Sequence, residues 1–218
     1  MDAGLASLVE FNMIDPKCKK CRRAGQKLFL KGERCFTPKC SMIKKPYPPG
    51  VHAKKRRRSL SEYGAQLAEK QKLRRIYDIG ERQLKNYFTK AAKAKGVLTD
   101  VLLSKLETRL DNVVFRLGWA ESRSKARQIV SHGHTLLNNR KVDIPSIGLK
   151  KGDIIKIKKS SLKSPLFKNL EIKLKKFKPP SWLSPDKKEL KATVLNLPLG
   201  KEIEVPVNLS MIIEYYSR

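Results

Sequence analysis

ETRLDNVVFRLGWAESRSKARQIVSHGH, residues 107–134, runs straight into TLLNNRKV, residues 135–142, and the reading of this stretch decides the fold. Leu106, Leu110, Val113, Val114 and Leu117 recur at i, i+3 and i+4, which predicts one apolar helix face that Gly118 closes. Ser122 is placed to cap a second helix with Ala126, Ile129 and Val130 facing inward and Gly133 at its end. Arg123 and Arg127, one turn apart, are expected on the opposite, outward face. Thr135-Leu136-Leu137 and Arg140-Lys141-Val142 then read as a hairpin about Asn138-Asn139, because a two-residue turn needs positive φ and Asn tolerates it. Lys151-Gly152-Asp153 makes another turn, and Ile155 and Ile157 alternate with Lys156 and Lys158 as in a half-buried strand.

Upstream, Ser61 is a plausible N-cap for a helix carrying Leu67, Leu73, Ile76 and Ile79, and Glu81–Lys95 places Leu84, Tyr87, Phe88 and Ala91 on one face. Lys70, Lys72, Arg74, Arg75, Arg82 and Lys85 cover the rest of this amphipathic pair, part of it as an ordinary solvated face. Downstream, Ser164-Pro165 starts a helix with Leu166, Leu170 and Leu174 on one stripe and Pro179-Pro180 as its stop. Residues 191–207 read as two short strands about Leu199-Gly200, and Asn208 caps a final helix. Trp182, between prolines and a leucine, is expected in packing rather than against a base.

The other end of the chain is chemically different. Cys18, Cys21, Cys35 and Cys40 are the only cysteines, spaced C-x2-C, thirteen residues, C-x4-C. Paired clamps of this kind deliver four thiolates to a tetrahedral metal, zinc first, though four thiolates also suit an iron–sulfur cluster. No secretory signal is read in the first sixteen residues, which argues against two disulfides, and no βαβ pattern surrounds the C-x-x-C as in a thioredoxin-like redox motif. From Lys17 to Arg58 there are 16 Lys or Arg and one acid, Glu33. Residues 44–58, KKPYPPGVHAKKRRR, resist helix and strand and read as a connector lying along phosphates.

Across 218 residues the formal charge is +29, a single-sign field that makes sense beside a polyanion. With no run of 18 apolar residues and no C-terminal lipidation box, nucleic acid is preferred over membrane.

Several strings are highly specific. LSEYGAQLAEKQKLRRIYDIGERQLKNYF (60–88), the 107–134 stretch, PSWLS (180–184), IIEYYSR (212–218), CRRAGQKLFLKGERCFTPKC (21–40) and PYPPGVHAKKR (46–56) resemble the S-four family of small-subunit ribosomal proteins, in its zinc-bearing bacterial and organellar form. The resemblance covers roughly residues 16–218. Three departures stand out. Residues 1–15 are acidic and apolar where the family has a short basic arm, Ala53 replaces a usual glycine, and Asn138-Asn139 replaces Asn-Gly.

The resemblance implies an α+β protein: a zinc-bearing arm (1–50), a helical domain (51–103 with 206–218) and an S-four RNA-binding domain of two helices, a hairpin and further strands (104–205). One Zn(2+) is expected on Cys18, Cys21, Cys35 and Cys40. RNA contacts are expected from Arg22, Arg23, Lys44, Lys45, His52, Lys54, Lys55, Arg56 and Arg57 in the arm, from Lys70, Lys72, Arg74, Arg75 and Arg82 on the helical face, and from Arg123, Lys125, Arg127, His132, Arg140 and Lys141 on the module. Expected partners are small-subunit rRNA at a multi-helix junction, mRNA at the opening of its channel, and neighbouring subunit proteins, especially the fifth, with no membrane and no small-molecule substrate. The place is the ribosome of a bacterial cytoplasm or of an organelle.

Two other classes fit the sequence less well. An RNA-modifying enzyme using the same module would need a catalytic domain, but Asp111 and Asp143 lie inside the module and no Gly-rich phosphate loop or Ser/His/Asp set appears. A zinc-containing DNA-binding regulator would need helix-borne histidines or a dimerising recognition helix, and neither is evident.

Overall fold

The computed structural model describes residues 16–53, 59–167, 170, 172, 174, 177–186 and 189–218. The chain divides into two compact units, Met1–Arg58 and Ser59–Arg218.

In the first unit, helix α1 (Lys17–Ala24) ends at Gly25, whose φ of 73° allows the reversal a helix C-terminus needs. A 3₁₀ turn (Gly32–Cys35) and a one-turn helix α2 (Ser41–Lys44) follow. Among the described residues here, the buried apolar side chains are Leu28, Cys21, Cys35 and Cys40.

The second unit begins with α3 (Glu62–Ile76), capped as expected by Ser61, whose Oγ accepts the Gly64 N–H at 3.2 Å. Asp78, at φ 53°, turns the chain out of α3, and Ile79 N–H returns to the Arg74 carbonyl at 3.1 Å. Helices α4 (Glu81–Ala92) and α5 (Leu98–Glu107) pack on each other. The C-terminal helix, α8 (Leu209–Ser217), lies along α3, with Asn208 Oδ1 accepting the Ser210 N–H at 3.1 Å.

The single helix expected across residues 106–117 is two. Helix α5 stops at Glu107, Arg109 is extended, and α6 (Leu110–Arg116) starts afresh. The segment 145–149 causes the break. Ile147 and Pro145 carbonyls take the Leu110 and Asp111 N–H groups at 2.9 and 3.2 Å, Leu149 N–H bonds the Thr108 carbonyl at 2.9 Å, and Arg109 bridges Gly148. Those bonds satisfy the orphan donors of a helix start, so two short helices cost little against one long one. Gly118 (φ 74°) ends α6, and a Cβ there would stand 2.8 Å from the Phe177 ring.

Helix α7 (Arg123–Ser131) is capped by Ser122 and buries Ala126, Ile129 and Val130. A five-stranded antiparallel sheet follows, in the order β2-β1-β3-β5-β4, made of β1 (Thr135–Leu137), β2 (Arg140–Val142), β3 (Ile154–Ile157), β4 (Leu183–Asp186) and β5 (Lys191–Val194). Asn138 and Asn139 take φ of 49° and 67°. Asn138 does more than turn: its side chain accepts the Ile154 N–H and donates to Asp153, both at 2.9 Å, pinning the hairpin to β3.

One expectation about the sheet is corrected. Residues 191–207 hold one strand, followed by a 3₁₀ turn at Gly200–Glu202, and the partner of β5 lies upstream in β4. β4 carries Pro185, which has no N–H to give a ladder, and accordingly it forms the edge of the sheet. Leu170 and Leu174 are buried, while Leu166 is exposed. A core of α6, α7, the inner sheet face, Leu149, Phe167, Leu170, Leu174 and Trp182 fixes the module.

Candidate nucleic-acid interface

Arginine in the second unit has two fates, and carboxylates decide which. Glu107, at the end of α5, is 1% exposed. It accepts from Tyr77 Oη at 2.6 Å, from Asn112 Nδ2 at 2.7 Å and from both Nε and Nη2 of Arg116 at 2.8 and 2.7 Å. Burial pushes its carboxyl up, but the Arg116 hydrogen bonds and charge, with Arg123 and Tyr77, outweigh burial and hold it below its ordinary value. Asp111 does the same work beside it. It takes both ends of the buried Arg109 at 3.0 and 2.7 Å and Arg127 at 3.1 and 2.8 Å.

Arg123 and Arg127 are therefore corrected from outward-facing residues to members of this network. Arg123 donates from Nε to Asn112 Oδ1 at 2.7 Å, and its guanidinium lies 4.8 and 4.6 Å from the Tyr77 and Phe115 ring centroids. Burial lowers its hold on the proton, against the pull of the Tyr77 and Glu107 oxygens. Arg127 also reaches the backbone carbonyls of Asp78 and Tyr77, tying α7 to the turn after α3. The spacing rule placed both residues off the apolar face correctly, but a second layer of polar packing covers that side.

Other expected contacts are likewise engaged within the protein. Lys70 is buried, 2.6 Å from Glu81 and 4.1 Å from the Tyr215 ring centroid, while Lys72 pairs with Glu69 and Arg74 with Glu81. In the arm, Arg22 donates to the Tyr47 and Pro48 carbonyls at 2.8 and 3.1 Å and lies over the Tyr47 ring, holding the connector against α1. Arg75 is half-buried.

Exposed positions remain. Arg23, Lys44, Lys45 and His52 are exposed in the arm, and Arg82, His132, Arg140 and Lys141 in the second unit, with Lys125 partly so and 3.3 Å from Gln128. Lys54, Lys55, Arg56 and Arg57 lie outside the described residues. Lys141 and α7 meet closely. A Cβ on Gly133 would come within 2.3 Å of Lys141 Cε, so the lysine stem crosses the helix end next to His132. His134, whose Nδ1 is 2.9 Å from Ser161 Oγ, is held below the ordinary imidazole range by burial, then by the charges of His132 and Lys158.

The sheet adds cations that the sequence reading passed over. Strand register aligns Lys141, Leu136, Lys156, Lys191 and Asp186 in one row on the face away from the core. Lys156 and Lys191 stand directly opposite each other, a like-charge pairing that Asp186, on the other side of Lys191, offsets in part and that a phosphate would relieve further. The alternation Ile155-Lys156-Ile157 was the signal for Lys156, but only the β3–β5 pairing reveals its like-charged neighbour.

No disulfide joins the four cysteines, and all four line one cavity of about 10 Å³ with Phe29, Leu30 and Met42. Burial pushes the Cys21 thiol up, against backbone N–H groups of Leu28 and Leu30 directed at it, with Cys35 and Cys18 adding to the rise. Among the described residues, no three Cys, His, Asp or Glu side chains converge closely enough to hold a metal ion.

Comparison with known proteins places this architecture. Residues 12–107 match the family described as Ribosomal protein S4/S9 N-terminal domain, and residues 108–155 match the S4 domain. The chain is 50% identical to the small ribosomal subunit protein uS4 of Syntrophomonas wolfei over 204 residues, 94% of this chain and 98% of the relative. The chain belongs to the ribosomal protein uS4 family. The uS4 of Thermus thermophilus is 52% identical over 206 residues, with the same coverage of both chains, and that of Caldicellulosiruptor saccharolyticus 48% over 205. The S4 domain match spans α6, α7, the hairpin and the start of β3, so the two corrected arginines and the exposed Lys141 all lie within it.

Proposed function

We infer that this uS4-family chain is a structural component of the small ribosomal subunit that grips rRNA at a multi-helix junction. The observation that carries this reading is family membership across 94% of the chain, joined to the lysine-rich row on the outer sheet face, where Lys156 stands opposite Lys191. Its work is structural, not catalytic: it recognises shape by holding separated cationic patches on rigid elements, while phosphate contacts supply affinity. Among the outward groups, Lys125, His132, Arg140, Lys141, Lys156 and Lys191 would meet phosphate and 2′-hydroxyl groups. The family likeness extends the proposal to early binding during subunit assembly, to mRNA at the opening of its channel, and to decoding accuracy through the fifth subunit protein. Purified chain mixed with small subunits lacking it should co-sediment with them through a high-salt gradient; a chain left at the top overturns the reading.

The arm is proposed to hold one zinc ion through Cys18, Cys21, Cys35 and Cys40, supported by four cysteines without a disulfide round one cavity in the compact basic unit. Zinc bound there would supply folding free energy to a unit with few buried apolar side chains among its described residues. Elemental measurement should find one zinc per chain, and a chelator should expose four titratable thiols while the melting of the second unit stays unchanged. Four readily titrated thiols in metal-free protein with an unaltered arm would defeat the assignment, and iron in place of zinc would change the metal.

A further inference from the structure

Two phenylalanines of the arm keep much of their ring surface exposed. Phe29 is 44% exposed and Phe36 is 75% exposed, yet their rings stack on each other with centroids 5.0 Å apart and planes 27° from parallel. Leu28, next in the chain, is buried. Phe29 lines the cysteine cavity on one side and holds a φ of 51°, a conformation that a bulky side chain rarely adopts and that surrounding structure must enforce. Phe36 sits on an equally fixed frame. Its N–H bonds the Glu33 carbonyl at 3.0 Å, Thr37 Oγ donates to the Arg34 carbonyl at 3.0 Å, and Cys40 N–H bonds the Thr37 carbonyl at 3.0 Å. One face of the Phe36 ring is covered by Phe29 and the other is open to solvent.

The charge around the pair selects the occupant. Lys31, Arg34 and Lys39 are exposed within the same loops, in a segment whose only acid is Glu33. A protein partner with an apolar face would satisfy the rings and leave those cations without counter-charge. Unpaired RNA satisfies both, offering a flat base to the open ring and phosphates to the cations on either side. We propose that Phe29 and Phe36 form a stacking platform for an unpaired rRNA base, a subsite that rests on the rRNA-binding reading above.

The test uses the full chain and a small-subunit rRNA junction fragment, with affinity measured over a series of salt concentrations. Phe36→Leu keeps apolar bulk and removes the π face. It should weaken binding roughly 5- to 100-fold, the usual range for one lost base stack, and leave the slope of log K against log salt unchanged because no phosphate contact is lost. Phe36→Trp should bind at least as well as the parent, and its added fluorescence should be quenched by the RNA, a readout that does not depend on how well the Leu variant folds. Wild-type affinity in Phe36→Leu together with an unquenched Trp variant overturns the platform while leaving the rRNA reading intact. Unimpaired RNA binding with loss of a subunit protein from particles reconstituted with Phe36→Leu overturns it in favour of a protein-docking face. Failure of the parent chain to bind the junction overturns the broader reading, and the platform with it.

Discussion

The arm and the second unit spend the same residue types in opposite ways. Between Lys17 and Arg58, sixteen cations face one acid, and among the described residues the buried apolar side chains are one leucine and three cysteines. The unit from Ser59 onward builds an extensive apolar core and places Glu107 and Asp111 inside it, where they draw in Arg109, Arg116, Arg123 and Arg127. A domain large enough to bury carboxylates converts some of its arginines into internal struts, and a small basic arm has no means to do so. Counting cations therefore overstates RNA contacts in the second unit far more than in the arm. Affinity per residue should come from the arm, and discrimination of RNA shape from the rigid unit.

The largest expected effect tests that division. A protein making about 6–10 phosphate contacts loses roughly 10³–10⁵ in affinity to duplex DNA between 50 and 200 mM salt, and structured RNA should behave similarly. Removing residues 1–45 should flatten the plot of log K against log salt markedly while preserving preference for the junction over unrelated RNA. An unchanged slope would break the comparison, and lost preference would move specificity into the arm.

Next comes the carboxylate hub. Glu107→Ala leaves Arg116 and Arg123 without their buried counter-charge and should cost about 3–5 kcal/mol in denaturant unfolding. Arg123→Ala should also destabilise, where an outward-facing RNA contact would not. The pH dependence has a defined sign. Because the Glu107 carboxyl is held below its ordinary value, its contribution is fully present above the unfolded value of about 4.3 and is lost as pH falls through the lower folded value. Stability of the parent should therefore fall more steeply than that of Glu107→Gln as pH drops below about 4.3. Parallel acid curves for the two would remove Glu107 from its role.

The smallest effect sharpens the hairpin. Asn139 holds a φ of 67°, which Gly reaches without steric cost. Asn139→Gly should raise stability by about 0.3 kcal/mol, read as a slight rise in Tm, and leave RNA affinity unchanged. Asn138→Gly should instead destabilise, because it removes the side-chain bonds to Asp153 and Ile154. Equal responses at the two positions would mean that backbone conformation alone matters there.

Local signals were strong wherever one short rule governed the outcome. Ser61, Ser122 and Asn208 cap their helices, Gly118 and Gly133 end theirs, and Asn138-Asn139 makes the turn, because each choice is set within four residues. Signals failed where distant segments intervened. The break at Arg109 comes from residues 145–149, and an apolar repeat with no proline or glycine gives no notice of it. β4 was hidden by the Pro185 that an edge strand tolerates.

The sequence by itself determined the α+β order of the second unit, the electrostatic character of the whole chain, the family resemblance and the cysteine spacing, since periodicity, charge and spacing are properties of neighbours along the chain. Only the tertiary structure decided which cations face outward. Lys70, Arg123 and Arg127 are as polar in sequence as Arg140 and Lys141, and nothing local separates them. What separates them is whether packing brings a carboxylate within reach, as the half-exposed Glu81 and the buried Glu107 and Asp111 do, or sets another lysine opposite, as β3 and β5 do at Lys156 and Lys191.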